Sequence, residues 1–462
     1  MVAPTVSTPD AVVIGMGPAG EEVAGRLADA GWDVVGIDER LLGGECPYWG
    51  CIPSKIMVRA GNLVQEAHRV PGSAGHSRVQ TDWRPVARRI RAATDDWDDK
   101  VAVDRFTTRG GRFLRGTAQL TGPNEVCVAG DDTAGGGETV LRPRRALVLA
   151  VGTRPAVPPV PGLAGTPYWT NRELIEAEQL PGSLLVLGGG AIGLELGQAV
   201  QRLGCQVTVV EAQSRLLSRE EPEAADLLMR VLTTEGLSIH TGAELVSVGY
   251  DGERFSTACR RGERLSAERL LVASGRRVDL ERLGAGALGV PADARVLPVD
   301  DRMRVLGAPG VWAVGDVTGK GAFTHMAMYQ ADVAARGILG QGGRAAQYHA
   351  VPRVTFTDPE IGAVGLTEAQ ARTEGLAVRT SVTDLAASAR GFVHGPGGDG
   401  FVKLVAADGV LVGATAAGPT GGEVLGLLSL AVQARVPLDE LRATVWAYPT
   451  FHRAVGDALK EL

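Results

Sequence analysis

A chain of 462 residues exceeds what one hydrophobic core usually serves, so two to four domains are expected. With 45% hydrophobic and 22% charged residues it has an ordinary globular composition, and a net charge of −6 without any basic block argues against nucleic acid as a partner. No apolar run reaches the roughly 18 residues of a membrane span. Met1 to Pro9 lacks a basic stretch followed by an apolar core, so no secretory leader and no membrane partner are expected, and the cytoplasm is the expected compartment. Five of the 47 basic residues are lysine, a bias that points to coding sequence rather than to chemistry.

Ala11-Val12-Val13-Ile14 reads as a buried parallel strand. Gly15-Met16-Gly17-Pro18-Ala19-Gly20 follows, then a helical pattern from Glu21 to Ala30. A second strand, Asp33 to Ile37, ends at Asp38, 18 residues after Gly20. This is the dinucleotide fingerprint in its strand–turn–helix context. The glycines allow a tight turn and close approach of a pyrophosphate to the helix N-terminus, and the acid takes a ribose hydroxyl.

The stretch from Gly43 to Lys55 comes next and carries Cys46 and Cys51, five positions apart. On an ideal helix such positions are rotated by roughly 140°, and a disulfide needs Cα atoms within about 7 Å. A pairing would therefore distort the first helical turn, which Gly50 permits. A helix N-terminus also makes a thiol more reactive. Redox chemistry and two reduced thiols in a loop both remain open from these residues alone. Cys127, Cys205 and Cys259 lie in apolar or strand-like surroundings and are expected to be inert.

Ile56 to Val70 and Pro85 to Arg105 read as helices, Phe113 to Val128 as paired strands turning at Pro123-Asn124, and Gly130 to Gly137 as a polar loop. The strand Ala146 to Ala150 ends in Val151-Gly152-Thr153, and a proline-rich run to Gly162 reads as a domain linker. The pattern then repeats. Leu184 to Leu187 is a strand, Gly188-Gly189-Gly190-Ala191-Ile192-Gly193 a second glycine fingerprint, and Leu194 to Leu203 its helix. Gln206 to Val210 is a strand ending at Glu211, again 18 residues past the last glycine. An acid there accepts a free 2′-hydroxyl and repels a 2′-phosphate, which favours NADH over NADPH. Arg215 is the feature that could admit NADPH, unless it is a solvated loop arginine. Leu270 to Ala273 with Ser274-Gly275-Arg276 closes this unit, and Gly310 to Val314 is a strand ending in Gly315-Asp316 before a helix from Thr324 to Leu339. The last stretch has short strands at Arg353 to Thr357, Phe401 to Val405 and Leu411 to Ala417, with helices at Thr367 to Glu374 and Glu423 to Ala434, as in an α+β domain.

These motifs together, with Glu195 after the second fingerprint, Cys51-Ile52-Pro53-Ser54-Lys55, and Phe356-Thr357 followed by Pro359-Glu360, make the sequence similar to the class I pyridine nucleotide–disulfide oxidoreductases along nearly its whole length. Dihydrolipoamide dehydrogenase and mercuric reductase are members of that family. The resemblance implies an α/β fold with two Rossmann-like dinucleotide-binding domains, one for FAD and one for NAD, plus a C-terminal α+β dimerisation domain. Its boundaries would be 1–152, 153–277, a return to the first domain over 278–346, and 347–462. It implies FAD contacts from Gly15, Gly17, Pro18, Ala19, Gly20, Asp38, Gly44, Lys55, Ala118, Gly152, Gly315, Asp316, Thr324 and Ala327. NAD contacts would come from Gly188, Gly190, Ala191, Ile192, Gly193, Glu211 and Gly275. The catalytic group would be a redox-active Cys46–Cys51 disulfide, with Cys51 the flavin-proximal thiol and Cys46 the interchange thiol, Lys55 paired with Glu195, and Tyr448.

Three departures from the family pattern bear on the substrate. Glu45 and Pro47-Tyr48-Trp49 replace the usual residues of the cysteine loop. Tyr448 stands in place of the family's C-terminal histidine, and Arg453 in place of the glutamate that orients it. An unperturbed phenol, with a pKa of about 10, is a poor base at neutral pH. His452 could substitute, or is only an exposed helix residue. The expected activity is FAD-dependent electron transfer between NAD(P)H, NADH preferred, and a small-molecule dithiol or disulfide, in a homodimer. Reduction of mercuric ion or a quinone is the alternative, and a catalytically silent flavoprotein a remote one.

Overall fold

The computed structural model describes residues 5–130 and 138–462. Of the polar loop expected at Gly130 to Gly137, all but its first residue lies outside the described residues. The chain forms two compact units, each discontinuous in sequence: Met1–Pro53, Ile90–Pro155 and Arg276–Tyr348 make the first, and Ser54–Arg89, Ala156–Gly275 and His349–Leu462 the second.

The first unit is built on a five-stranded parallel sheet ordered Val311–Ala313, Ala146–Leu149, Ala11–Ile14, Val34–Asp38, Arg112–Arg115. The strands Ala146–Leu149 and Ala11–Ile14 are fully buried runs of Val, Ile, Leu and Ala, as a parallel sheet covered on both faces requires. The helices Pro18–Asp29 and Thr324–Ile338 cover one face through Ala19, Val23, Leu27, Ala327, Ala331 and Ala334. The other face packs Val12, Ile14, Val35 and Ile37 against Leu120, Val126 and Leu141 of a smaller sheet formed by Thr5–Ser7, Glu138–Leu141, Glu125–Ala129 and Thr117–Gly122.

The second unit holds a four-stranded parallel sheet, Ser238–Thr241, Gln206–Glu211, Ser183–Leu187, Arg269–Val272, beside an antiparallel meander of Leu245–Tyr250, Phe255–Cys259 and Arg264–Ala267. Its C-terminal part is a five-stranded antiparallel sheet ordered Pro352–Thr355, Glu360–Gly365, Val410–Gly418, Phe401–Ala407, Arg379–Asp384. Lys403, buried in that sheet, reaches three carboxylates: Glu221 at 3.0 Å, Glu223 at 2.7 Å and Glu368 at 3.1 Å. Burial pulls its ammonium down, but the three carboxylates outweigh this and hold it above the ordinary range.

Two expectations change. The helix expected over Pro85 to Arg105 is two helices, Arg84–Ala93 and Lys100–Thr108. Thr94 turns its hydroxyl back onto the Ile90 carbonyl (3.0 Å), and Asp95, Asp96 and Trp97 then take positive φ of 48°, 53° and 60°, which no right-handed helix can carry. The helix expected from Ile56 starts at Cys51 and runs to Arg69.

Candidate active site

Both glycine fingerprints fold alike. A Cβ on Gly15 would meet the Ala150 carbonyl oxygen at 2.4 Å, and one on Gly20 the Gly15 oxygen at 1.9 Å; Gly188 and Gly193 are closed in the same manner by Ala273 and by Gly188. The middle glycines differ. A Cβ on Gly17 would come no closer than 3.9 Å to anything, and on Gly190 nothing lies within 4 Å. Each of these two is the N-cap of a helix, Pro18–Asp29 and Ala191–Arg202, with no side-chain cap. Tight first and third glycines with an open, uncapped second one fit a pyrophosphate at each helix start. The acids close the loops: Asp38 accepts from Met16 N–H at 2.8 Å and Glu211 from Gly189 N–H at 2.6 Å. Burial pushes the Asp38 carboxyl up. Arg215 donates to the carbonyls of Leu217 (3.2 Å) and Ser218 (2.7 Å), so its guanidinium is already engaged in its own loop.

The cysteine stretch enters through Gly43 and Gly44, both at positive φ, and a Cβ on Gly44 would fall 2.8 Å from the Gly17 Cα. Cys46 lies on a single turn, Glu45–Tyr48, and Cys51 opens the next helix. Between them Gly50 passes so close that a Cβ would meet Glu45 O at 3.0 Å and Cys46 Cα at 3.1 Å. The break keeps both sulfurs on one side despite their five-residue spacing. Cys46 is half-buried and Cys51 exposed, both as thiols. The Cys46 thiol is hydrogen-bonded to Cys51, and this bond, with burial, holds Cys46 well above the ordinary thiol range. Thr324 Oγ1 lies 3.5 Å from Cys51 Sγ, at the first turn of the Thr324–Ile338 helix, whose N–H groups favour negative charge there. Tyr48 and Trp49 are buried, their ring centroids 5.9 Å apart, and Trp97 donates its indole N–H to the Tyr48 carbonyl. Burial, then the charge of Asp99, pushes the Tyr48 phenol up to about 12.

Also in the first unit, Asp316 accepts from the Thr153 hydroxyl at 2.7 Å, and Arg276 donates to that same hydroxyl at 2.7 Å. Gly315 donates its N–H to Gln330 Oε1 at 2.7 Å and faces Ala19 and Ala327 with room only for a hydrogen or a methyl. Ala118 packs at the edge of the core, and Gly152 has a positive φ with open space around it. In the second unit, Lys55 Nζ lies 2.6 Å from Glu195 Oε2, and Glu195 is buried. Ile192 is partly exposed at the start of its helix, and Gly275 has a φ of 116° with nothing near it. Tyr448 is 70% exposed, with the Arg453 guanidinium 5.5 Å from its ring centroid. The His452 ring centroid lies 6.2 Å from that of Trp446, and His452 directly precedes the final helix, Arg453–Lys460, without a side-chain cap bond. The thiols of Cys205, Cys127 and Cys259 are raised by burial, Cys205 to about 12, as inert thiols should be. The roles of Thr153 and Arg276 escaped the sequence reading, which saw only turn residues there, because Thr153 bonds Asp316 and Arg276 bonds Thr153 across more than a hundred residues.

Residues 9–331 match the family model described as pyridine nucleotide-disulphide oxidoreductase, and residues 351–459 match the dimerisation domain of the same family. A dihydrolipoyl dehydrogenase of Thermus scotoductus is 33% identical over 477 residues, covering 99% of this chain and 98% of that one. A mercuric reductase of Acidithiobacillus ferrooxidans is 33% identical over 444 residues, covering 95% and 80%. Among solved structures, the HOCl-induced flavoprotein disulfide reductase RclA of Escherichia coli, as the Cu(II) complex of a cysteine-to-serine mutant, matches with a TM-score of 0.85 at 26% identity, covering 98% of this chain and 99% of that one. LpdA of Mycobacterium tuberculosis matches with a TM-score of 0.84 at 26% identity and the same coverage. Among the described residues no helix is long and apolar enough to cross a membrane.

Proposed function

Because this chain belongs to the pyridine nucleotide–disulphide oxidoreductases, FAD-dependent enzymes that use NAD(P)H, we propose that its Cys46–Cys51 pair passes two electrons between the nicotinamide and a small-molecule dithiol or disulfide, in a cytoplasmic homodimer. FAD, when bound, supplies the two-electron carrier between nicotinamide and sulfur. Residues 1–152 and 278–346 hold it, through Gly15, Gly17, Pro18, Ala19, Gly20, Asp38 and Gly44 on one side and Gly152, Gly315, Asp316, Thr324 and Ala327 on the other, with Ala118 toward the adenine. Residues 153–277 hold the nicotinamide dinucleotide on Gly188 to Gly193, Glu211 and Gly275, and 347–462 form the dimer contact. Lys55, neutralised by Glu195, serves the nicotinamide side. As the family resemblance implies, Cys51 is the sulfur that carries charge and Cys46 the one that meets substrate. NADH is the preferred donor: Glu211 repels a 2′-phosphate, and Arg215 is engaged with Leu217 and Ser218.

The observation that carries this reading is the hydrogen-bonded thiol pair beside Thr324. It is tested by anaerobic NADH titration of the purified flavoprotein. A long-wavelength absorbance should appear at two electrons per chain and be lost in Cys51→Ser. A second reading, reduction of a soft metal ion, is favoured by the same adjacent sulfurs, since thiolates are good soft-metal ligands. In Cys46→Ser, disulfide and Hg²⁺ turnover should both collapse, while a quinone reduced without the sulfurs would still turn over.

A further inference from the structure

The helix Ala191–Arg202 presents Glu195, Gln198 and Arg202 on one face, spaced three and four apart. All three side chains are buried, and each grips the short segment from Phe356 to Asp358. Phe356 donates its backbone N–H to Glu195 Oε1 at 2.9 Å. Gln198 forms a paired contact with Asp358, accepting from its N–H at 2.8 Å and donating to its carbonyl at 2.8 Å. Arg202 reaches Asp358 Oδ2 at 2.9 Å and is braced from behind by Glu235 at 2.5 Å and Asn62 at 2.6 Å. The segment is thus clamped along its length, and Phe356 touches both members of the ion pair. Its amide holds the carboxylate, and its ring lies under the Lys55 ammonium, 4.5 Å from centroid to Nζ.

Lys55 needs such a support. Its side chain is 35% exposed, and a lysine ammonium on a four-carbon stem has many rotamers open to it. Glu195 fixes one direction, and a cation over an aromatic face adds a second, shape-dependent restraint. Resting on the reading that this pair serves the nicotinamide side, we propose that Phe356 is a positioning residue for Lys55 and Glu195, with Gln198 fixing the segment that carries it. The phenylalanine ring sets where the ammonium stands, and its N–H sets where the carboxylate stands.

The first test reads the lysine itself. In flavoprotein labelled with ε-¹³C-lysine, five signals are expected, and the one absent in Lys55→Arg belongs to Lys55. It should lie upfield of the exposed Lys100 and Lys460, shifted by the ring current of Phe356, and rejoin them in Phe356→Leu. A Lys55 signal that coincides with the exposed lysines, or that Phe356→Leu leaves in place, overturns the proposal. The second test reads flavin reduction by NADH in stopped flow. Phe356→Leu should slow it about ten-fold, with Phe356→Tyr restoring the rate. Phenylalanines bearing one, two and three ring fluorines at position 356 keep the shape but weaken the negative ring face, so the rate should fall stepwise. An unchanged rate across the series overturns the proposal, and because the shape is preserved this arm also decides the matter if Phe356→Leu does not fold. Lys55→Met and Glu195→Gln separate the two claims. If neither slows flavin reduction, the role given to the ion pair fails, whereas slowing in both with none from Phe356 substitution removes only the positioning role.

Discussion

Tyr448 and Arg453 stand where the resemblance implies a histidine and the glutamate that orients it, and we propose that Tyr448 faces the exchanging thiols. A phenol near neutrality donates a hydrogen bond but does not take up a proton, and Arg453, set over its ring, supplies positive charge where a carboxylate would orient an imidazole. Turnover with a simple dithiol such as dihydrolipoamide should therefore be slow. The double substitution Tyr448→His with Arg453→Glu should raise it, by up to about 10²-fold, when followed as NADH formation at neutral pH. Tyr448→His alone should gain less, because nothing would hold the ring. Much of the site was legible at this scale. Cys46, Cys51, the fingerprint glycines, Asp38 and Glu211 announce themselves because their chemistry demands one residue type at one spacing. The roles of Phe356, Thr153 and Arg276 do not, although the motifs and turns include all three residues. A ring under an ammonium or a hydroxyl on Asp316 joins positions well over a hundred residues apart, and only the folded chain brings them together.

Among the elements, the crossing of the Cys51–Arg69 and Ala191–Arg202 helices sets the distance between Lys55 and Glu195. Gly61 makes the close approach possible: a Cβ there would stand 3.3 Å from both Ala199 Cα and Ala199 O. Gly61→Leu should force the helices apart, cost about 1–3 kcal/mol in denaturant unfolding and slow flavin reduction by NADH, since the ion pair would be stretched. Parallel strands were easy to recognise because continuous apolar runs are buried on both faces. The break at Thr94 was not, because Arg84 to Thr108 keeps a helical charge pattern through it and the left-handed residues are ordinary aspartates and a tryptophan. The edge strand Arg379–Asp384 was missed for a related reason: only Ser381 of its six residues is buried, so it carries no apolar alternation.

At the scale of the whole molecule, the chain divides into two compact units, and a homodimer is proposed through the C-terminal part. There Val445 and Leu430, 96% and 66% exposed, offer apolar surface. Inside that second unit Lys403 is the charge on which Glu221, Glu223 and Glu368 depend. Its raised ammonium contributes stability that is complete below the unfolded value of about 10.4 and is lost as pH rises through the higher folded value. Glu368, lowered by Arg372 and then Lys403, contributes above its unfolded value of about 4.3, and that contribution fades as pH falls through the lower folded value. Between those limits the cluster's contribution is flat. Lys403→Met strands the buried Glu221 and should cost about 3–5 kcal/mol near neutrality. Thermal unfolding of the variant beside the parent at neutral pH reads the loss.

Where Gly44 presses on Gly17, the loop that bears the sulfurs and the first glycine fingerprint share one wall, and a Cβ on Gly44 would strike the Gly17 backbone. Any refashioning of the thiol loop to suit another acceptor must leave that wall bare or rebuild both loops together. Under the proposed function, substrate preference is therefore freer to drift through an exposed side chain such as Tyr448 than through the backbone that carries the cysteines.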